Sequence, residues 1–307
     1  MRFASWRWGG RPQVGTVSAD GRELTPLAAA QPERGALPLI EALARGETLP
    51  RPAGMRLPVE AVELTAPLPM PRRSLFCVGR NYRAHAEELA STVFASAKGG
   101  DVGAWPIVFG KLAECVVGPF DDVRLPPPEV SAQIDYESEL AVVIGRGGRD
   151  IPRARAMDHV FGYTVVNDVT ARDVQQRHQQ WDLGKSFDSF CPMGPWIVGA
   201  DELDGRDTRV RGWVMPAGGS AELRQDGRTR DLIFDIPTLI ETCSRGITLL
   251  PGDVIATGTP AGVGLGFDPP RFLGPGDVVR IEIDGIGAIE NRFVAAAAYR
   301  DGRDGRD

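Results

Sequence analysis

The chain has 307 residues, of which 42% are hydrophobic and 25% are charged, a composition typical of a globular protein with room for one large and one small domain. A formal net charge of −6 does not favour binding to nucleic acid or to an anionic membrane surface. No apolar run could span a bilayer, and the start MRFASWRWGG lacks the apolar segment of a signal peptide, so we expect a cytoplasmic protein. The four cysteines lie far apart without a C-x-x-C motif, which favours buried thiols over zinc or disulfides.

Residues 1 to 70 are predicted to form a small N-terminal domain. RFASW and QVGTVSA, followed by DGREL, have the pattern of short strands with a turn at Asp20-Gly21. PLIEALARG is predicted to be a short helix that ends at Gly46. Prolines are dense from Pro50 to Pro71, as expected of a linker to the next domain.

Residues 71 to 299 are predicted to form the larger domain. After the strand SLFCV and the helix NYRAHAEELA, the segment STVFASAKGGDVGAW has no periodicity, and we expect residues 89 to 104 to form a lid over bound ligand. The rest is mostly strands rich in β-branched residues, such as ESELAVVIG, VFGYTVVND and DVVRIEIDGIGAIENRF, with few helices. This pattern predicts a mostly β, α+β fold, and the polar tail of residues 300 to 307 is predicted to be disordered.

The stretch IDYESELAVVI combines acids with a buried strand. Glu137 and Glu139 share one face of an extended chain with Ala141 and Val143, so that face becomes apolar within one step. Carboxylates at the mouth of a covered face need a counter-charge, which a hard divalent cation would supply. On composition alone, a solvated strand face is an equally good interpretation. Asp135 lies nearer the loop, and we interpret it as a turn residue.

A further acid, Asp168, ends the apolar strand in GYTVVNDVTARD. It could cap the following helix, where Thr170 and Asp173 also resemble a capping pair. Strand ends that lead into helices are also where polar groups gather at functional sites. Together with Glu137 and Glu139, Asp168 would leave coordination positions open for water or substrate, which favours the metal site.

His85 and Glu88 lie three residues apart on the predicted helix and therefore share one face. They are either a weak surface pair or an acid/base pair in which the carboxylate orients the imidazole. Lys185, in WDLGKSFDSFCPMGP, is either solvated or paired with a nearby carboxylate or an anionic substrate. The turn ATGTPAGVG is dense in small residues that let backbone N–H groups approach an anion, but it is not a nucleotide-binding P-loop.

Taken together, these segments resemble the fumarylacetoacetate hydrolase superfamily. The matching stretches are CVGRNYRAHAEE, DYESELAVVIG, GYTVVNDVTARDVQ, LGKSFDSFCPMGP, LLPGDVIATGTPAGVG and GDVVRIEIDGIGAIENRF, in family order from about residue 75 to residue 294. The resemblance implies curled β-sheets that form a β-roll, and a homodimer. It also implies a Mg²⁺ or Mn²⁺ ion held by Glu137, Glu139 and Asp168.

The resemblance also implies roles for the other candidates. His85 and Glu88 match the family's His-x-x-Glu pair, which activates water in relatives that hydrolyse C–C bonds, and Lys185 matches a lysine near metal and substrate. Three more residues match positions that line the pocket or contact the substrate's carboxylate: Arg172, Gln175 and Thr259.

These parts predict a metal-dependent hydrolase that cleaves a C–C bond in a small 2,4-dioxo acid of the acylpyruvate or fumarylpyruvate type. The metal would stabilise the leaving enolate, and His85 would deprotonate the attacking water. A decarboxylase or isomerase of a 2-oxo diacid is the alternative, because the same metal stabilises the same kind of enolate. A non-catalytic ligand-binding paralogue is the remaining alternative, and it would have no need of an acid/base pair.

The chain departs from the family pattern at two places. After Lys111 relatives continue with proline and small hydroxyl residues, whereas this chain has Leu112, Glu114 and Cys115, which puts the distal pocket in question. Asn81 falls near the place where some relatives have a further acidic ligand, so we expect three protein carboxylates only.

Overall fold

The computed structural model describes residues 1–89 and 104–295. The predicted disordered tail and all of the predicted lid except its two end residues lie outside the described residues. None of the helices in the described part of the chain has the length and apolar character needed to cross a membrane.

Strands dominate the described residues. The strands are β1 (Arg2–Trp8), β2 (Arg11–Val17), β3 (Glu23–Pro26), β4 (Leu57–Pro58), β5 (Glu63–Thr65), β6 (Leu75–Gly79), β7 (Ile107–Lys111), β8 (Val116–Val117), β9 (Val123–Arg124), β10 (Ile134–Asp135), β11 (Ser138–Ile144), β12 (Val160–Asn167), β13 (Thr170–Ala171), β14 (Cys191–Gly199), β15 (Arg209–Met215), β16 (Glu222–Arg228), β17 (Val254–Ala256), β18 (Val278–Ile283) and β19 (Gly287–Val294). The α-helices are α1 (Leu37–Ala44), α2 (Arg83–Leu89), α3 (Arg172–His178), α4 (Asp182–Lys185) and α5 (Ile236–Ser244). The 3₁₀ helices are Pro32–Arg34, Val59–Ala61, Ala113–Cys115, Arg153–His159, Thr229–Asp231 and Gly264–Gly266.

The strands form one large sheet and two smaller ones. The large sheet has the order β4-β3-β2-β1-β14-β12-β11-β17-β6-β7, with β5 paired to β1 and β8 paired to β14. A five-stranded sheet has the order β16-β15-β18-β19-β9, and β10 pairs with β13. The predicted mostly β, α+β fold is therefore confirmed. Strand β1 pairs with β14, so the N-terminal strands belong to the same sheet as strands of the larger predicted domain, and the division at residue 70 stays a prediction.

The position of strand β11 inside the sheet explains why its sequence is apolar on both faces. All seven of its residues are buried. Leu140, Val142 and Ile144 pack into one core cluster, whereas Ala141 and Val143 pack into the cluster on the other side of the sheet. A strand covered on both faces offers no solvated surface for an acid, so the acids at its start need partners.

Four strand ends meet at one edge of the large sheet, which we call the strand-end edge. Because β11 and β12 are antiparallel, the start of β11 lies beside the end of β12, with Glu139 opposite Val166. Strand β17 is antiparallel to β11 and parallel to β6, so both strands end at the same edge. The loops at these four strand ends therefore lie next to the acids.

One local prediction is wrong. Thr170 and Asp173 do not cap α3, whose N-cap residue is Ala171 and has no side-chain cap. The Thr170 hydroxyl instead donates to the Asp168 carbonyl, and an Asp173 oxygen accepts from the Ser131 hydroxyl. Thr170 and Ala171 pair with β10, so the helix begins one residue later than the capping pattern requires.

Candidate active site

Three carboxylates gather at the strand-end edge. Glu137 precedes β11, Glu139 lies within it and Asp168 follows β12. One oxygen from each of the three lies within 4.8 Å of the others, and all three side chains are buried. The structure thus brings together the three acids that the sequence singled out.

Two of these acids are surrounded by cations. Lys185 Nζ donates to Glu137 Oε2 at 2.7 Å and to Asp168 Oδ2 at 2.7 Å. Lys111 Nζ lies 2.8 Å from Asp168 Oδ1, and Arg172 Nη2 lies 2.7 Å from Glu137 Oε1. Burial opposes the ionisation of Glu137, but Lys185 and Arg172 outweigh it and hold the Glu137 pKa below its ordinary value.

Glu139 has a different environment. Within residues 1–89 and 104–295, the hydrogen bond recorded for its side chain comes from the Gly258 N–H, at 2.9 Å from Oε2. Burial, followed by repulsion from Asp168 and Glu137, raises the Glu139 pKa well above its ordinary value. The pKa values of two glutamates only two residues apart are therefore shifted in opposite directions.

This donor set fits a hard divalent cation. Mg²⁺ prefers oxygen ligands at about 2.0–2.1 Å, and carboxylate oxygens at such distances from one ion lie within the separation seen here. Asp168 Oδ1 is buried without a well-aligned hydrogen bond, although Lys111 lies close to it. A divalent cation would also offset the repulsion that acts on Glu139. Glu137, Glu139 and Asp168 are therefore the residues that could hold a metal.

His85 and Glu88 face the same pocket from α2. His85 Nδ1 lies 3.0 Å from Glu88 Oε2, and Glu88 Oε1 accepts from the Gly262 N–H at 2.9 Å. His85 is buried and lines the pocket together with Glu137 and Glu139. Because Nδ1 is engaged by a carboxylate, Nε2 is the nitrogen left for proton exchange with a ligand.

The residues predicted to bind substrate also line this pocket: Arg172, Gln175 and Thr259. Arg172 Nη1 donates to Gln175 Oε1 at 3.3 Å, which places both side chains of α3 on the same wall. Phe109 and Trp181 form an aromatic wall, with ring centroids 5.2 Å apart. The pocket thus combines charged side chains, hydrogen-bond donors and aromatic rings.

The family model described as fumarylacetoacetate (FAA) hydrolase C-terminal matches residues 74–294, which include the whole of this pocket. The chain belongs to the fumarylacetoacetate hydrolase family. It is an enzyme of that superfamily, as the sequence segments had indicated.

Three relatives illustrate the range of this family. A Bacillus subtilis protein named oxaloacetate tautomerase YisK is 48% identical over 237 residues, which cover 76% of this chain and 73% of that protein. A Xenopus laevis protein named oxaloacetate tautomerase fahd2, mitochondrial, is 40% identical over 295 residues, 92% of this chain and 86% of that protein. A solved structure titled fumarylacetoacetate hydrolase, from Exiguobacterium antarcticum, has a TM-score of 0.79 and 39% identity and covers 96% of this chain and 99% of its own.

The departures from the family pattern after Lys111 do not reach the pocket. Leu112 and Glu114 are exposed, and Cys115 is buried in a core cluster. Asn81 is a structural residue, because its amide donates to the carbonyls of Phe234 and Thr257. The cysteines of this family member are buried and free, as expected.

The interpretation of Asp135 as a turn residue is wrong. Asp135 is fully buried in β10, and its oxygens accept from Arg172 Nε at 2.8 Å and from the N–H groups of Gly264 and Leu265. It therefore ties α3 to the loop after β17. Its position two residues before Glu137 was the available signal, since residues two apart share a strand face.

Sequence reasoning also missed two cations. Lys111 is fully buried, and besides Asp168 it donates to the carbonyls of Val169 and Lys185. Arg80 lines the pocket with a backbone φ of 54°, which a non-glycine residue adopts infrequently. Long-range contacts of this kind leave no periodic trace in the sequence.

Proposed function

We propose that this protein is a divalent-metal-dependent keto–enol tautomerase of a small 2-oxo diacid, with oxaloacetate as the first substrate to test. The observation that carries the proposal is one proton-exchanging pair, His85 and Glu88, placed against a buried carboxylate cluster that suits a divalent cation. The two relatives named oxaloacetate tautomerase support it, at 48% and 40% identity.

Keto–enol tautomerisation needs few catalytic groups. Ketonisation adds a proton to C3 of the enol and removes one from the oxygen at C2, and the reverse reaction does the opposite. No water is consumed and no carbon–carbon bond breaks. One group that takes and returns a proton meets the need, and imidazole does so near neutral pH. His85 would exchange the proton through Nε2, while Glu88 orients the ring through its contact with Nδ1.

A divalent cation held by Glu137, Glu139 and Asp168 would supply Lewis-acid polarisation of the 2-oxo group. Lys185 orients two of these carboxylates through its hydrogen bonds to Glu137 and Asp168. Arg172, beside them, adds a fixed positive charge to the pocket wall.

The charge of the cluster favours an anionic substrate. Four buried acids, Asp135, Glu137, Glu139 and Asp168, meet three buried cations, Lys111, Arg172 and Lys185. With a divalent cation added, the cluster would carry one net positive charge. A buried site of net positive charge attracts a carboxylate and discriminates against neutral ketones.

A second candidate is the hydrolase predicted from the sequence, acting on a C–C bond of a 2,4-dioxo acid. The solved structure titled fumarylacetoacetate hydrolase favours it, with a TM-score of 0.79 and 39% identity. His85 and Glu88 would then activate a water molecule for attack on a distal carbonyl. Decarboxylation of oxaloacetate is a third outcome of the same assay, since it begins with the same activated 2-oxo acid.

One assay separates these activities. Enol oxaloacetate is mixed with the Mg²⁺- or Mn²⁺-loaded protein, and the loss of enol absorbance is compared with the uncatalysed rate in the same buffer. Product analysis then measures pyruvate and carbon dioxide, and a parallel reaction uses an acylpyruvate. Fast ketonisation with intact oxaloacetate supports the tautomerase. Acylpyruvate cleavage without faster ketonisation would replace it by the hydrolase.

We infer that the protein binds a small 2-oxo or 2,4-dioxo acid. We also infer that the protein is cytoplasmic and forms a homodimer. Sedimentation velocity of the purified protein tests the dimer, and a monomer at assay concentration would contradict it.

A further inference from the structure

Gln225 is a fully buried amide of β16 that reaches from the five-stranded sheet to the strand-end edge. Its Oε1 accepts from the Ser138 N–H at 3.0 Å and from the Ser138 hydroxyl at 2.7 Å. Its Nε2 donates to the Pro260 carbonyl at 2.8 Å and to Thr259 Oγ1 at 2.7 Å. The side chain therefore connects the start of β11 to the loop after β17.

The orientation of this amide is fixed by its backbone partners. The Ser138 N–H can only donate, so the amide atom that it contacts must be the oxygen. The Pro260 carbonyl can only accept, so the amide atom that it contacts must be the nitrogen. A flipped amide would face both partners with the wrong polarity, at a site with no exposure to water.

This orientation determines the polarity of Thr259. The second hydrogen of Gln225 Nε2 points to Thr259 Oγ1, which must accept it. The Thr259 hydroxyl then retains its own proton, for which the described residues record no acceptor. Thr259 is buried, and it lines the pocket. The remaining proton is therefore available to a ligand that accepts a hydrogen bond.

We propose that Gln225 is a positioning residue that presets the Thr259 hydroxyl as a donor to a carboxylate of the ligand. The inference rests on the proposed function, in that the ligand is a 2-oxo acid. Among the described residues, Thr259 lines the pocket and Gln225 does not, so Gln225 would act on a ligand through Thr259. A glutamate here would accept the hydroxyl proton and draw it away from the pocket, whereas the amide leaves that proton for an acceptor on the ligand.

The test measures oxalate binding to the Mg²⁺-loaded protein by titration calorimetry in a double-mutant cycle of Gln225→Met and Thr259→Val. Each single variant is expected to weaken oxalate binding on the order of tenfold, because a hydrogen bond to a charged group is lost. The double variant is expected to bind no more weakly than Thr259→Val alone. Thr259→Ser, which keeps the hydroxyl, is expected to retain the wild-type affinity.

A matched control is Asn291→Leu, which removes another buried amide that donates to two carbonyls, those of Gly118 and Asp121. It is expected to lower the melting temperature and leave oxalate affinity unchanged. If Gln225→Met weakens binding equally in the Thr259→Val background, or if wild-type protein does not bind oxalate, the inference is overturned. Because binding is measured without turnover, a protein that binds oxalate in this pattern but does not ketonise oxaloacetate would contradict the proposed function alone.

Discussion

The carboxylate cluster and the His85–Glu88 pair face one pocket but are built in different ways. The carboxylates come from the central strands of the large sheet, and most of their oxygens are held by buried cations or backbone N–H groups. His85 and Glu88 come from a seven-residue helix, α2, that is joined to the strand-end edge through the Glu88 contact with Gly262. One part of the site belongs to the core of the large sheet, and the other is carried by a short helix outside that sheet.

This difference suggests a division of labour. Electrostatic stabilisation depends on groups that do not reorganise during the reaction, and a sheet covered on both faces provides such rigidity. Proton exchange needs an imidazole oriented toward the reacting atom, and the Glu88 contact with His85 Nδ1 provides that orientation. If the division is right, substitution of the imidazole should lower kcat and leave metal affinity unchanged.

Removal of the metal should have the largest effect. Chelation is expected to lower the ketonisation rate by about a thousandfold or more, because Lewis-acid polarisation contributes several kcal/mol. Mg²⁺ or Mn²⁺ should restore the rate. Elemental analysis before and after dialysis is the accompanying measurement. Full activity in protein shown to contain no metal would remove the cluster from the mechanism.

Substitution of the imidazole should have the next largest effect. His85→Ala is expected to lower kcat by roughly 10²–10⁴-fold, the usual contribution of general acid/base catalysis. Metal affinity, measured by calorimetry, should stay at the wild-type value because His85 is not among the proposed ligands. Glu88→Gln serves as the milder partner and should lose about tenfold. Loss of metal affinity in His85→Ala would show that the two parts are not separate.

The sequence predicted the residues of the site better than the contacts between them. Glu137, Glu139 and Asp168 could be found because strand ends are marked by a change from polar to apolar residues. Asp135 was misread as a turn residue, and the partners of Lys111 went unrecognised, because a buried ion pair joins residues far apart in the chain. The register of β11 against β12 sets these pairs, and register follows from the assembled core.

Asp135→Asn tests whether the fixed part of the site depends on its buried ion pairs. The change leaves Arg172 with a neutral partner in the core and is expected to lower the free energy of unfolding by about 3 kcal/mol. The value of kcat/KM should fall about tenfold, as for residues that orient metal-site ligands. Asp173→Asn, on α3 next to Arg172 and partly exposed, should change neither quantity much. Equal effects of the two variants in thermal and kinetic assays would contradict the assignment.

The smallest expected effect is a dependence of metal-free stability on pH, caused by Glu139. Its pKa is raised above the ordinary 4.5, first by burial and then by Asp168 and Glu137. Above pH 4.5 the folded state therefore binds more protons than the unfolded state, and the free energy of unfolding falls as pH rises. Glu137, whose pKa is lowered, acts in the opposite sense and only as pH falls below its ordinary range.

Melting temperatures of chelated protein should therefore decline as pH rises above about 4.5, and the free energy of unfolding should fall by at most about 1.4 kcal/mol per pH unit. With Mg²⁺ bound, Glu139 is ionised in the folded state as well, so the decline should be smaller and the gap between the two curves should widen with pH. Chelated Glu139→Gln protein is the matched control, and its curve should be flatter than that of chelated wild type. If the curves of melting temperature against pH are parallel with and without Mg²⁺, the metal does not bind at Glu139, and the proposed metal site is wrong.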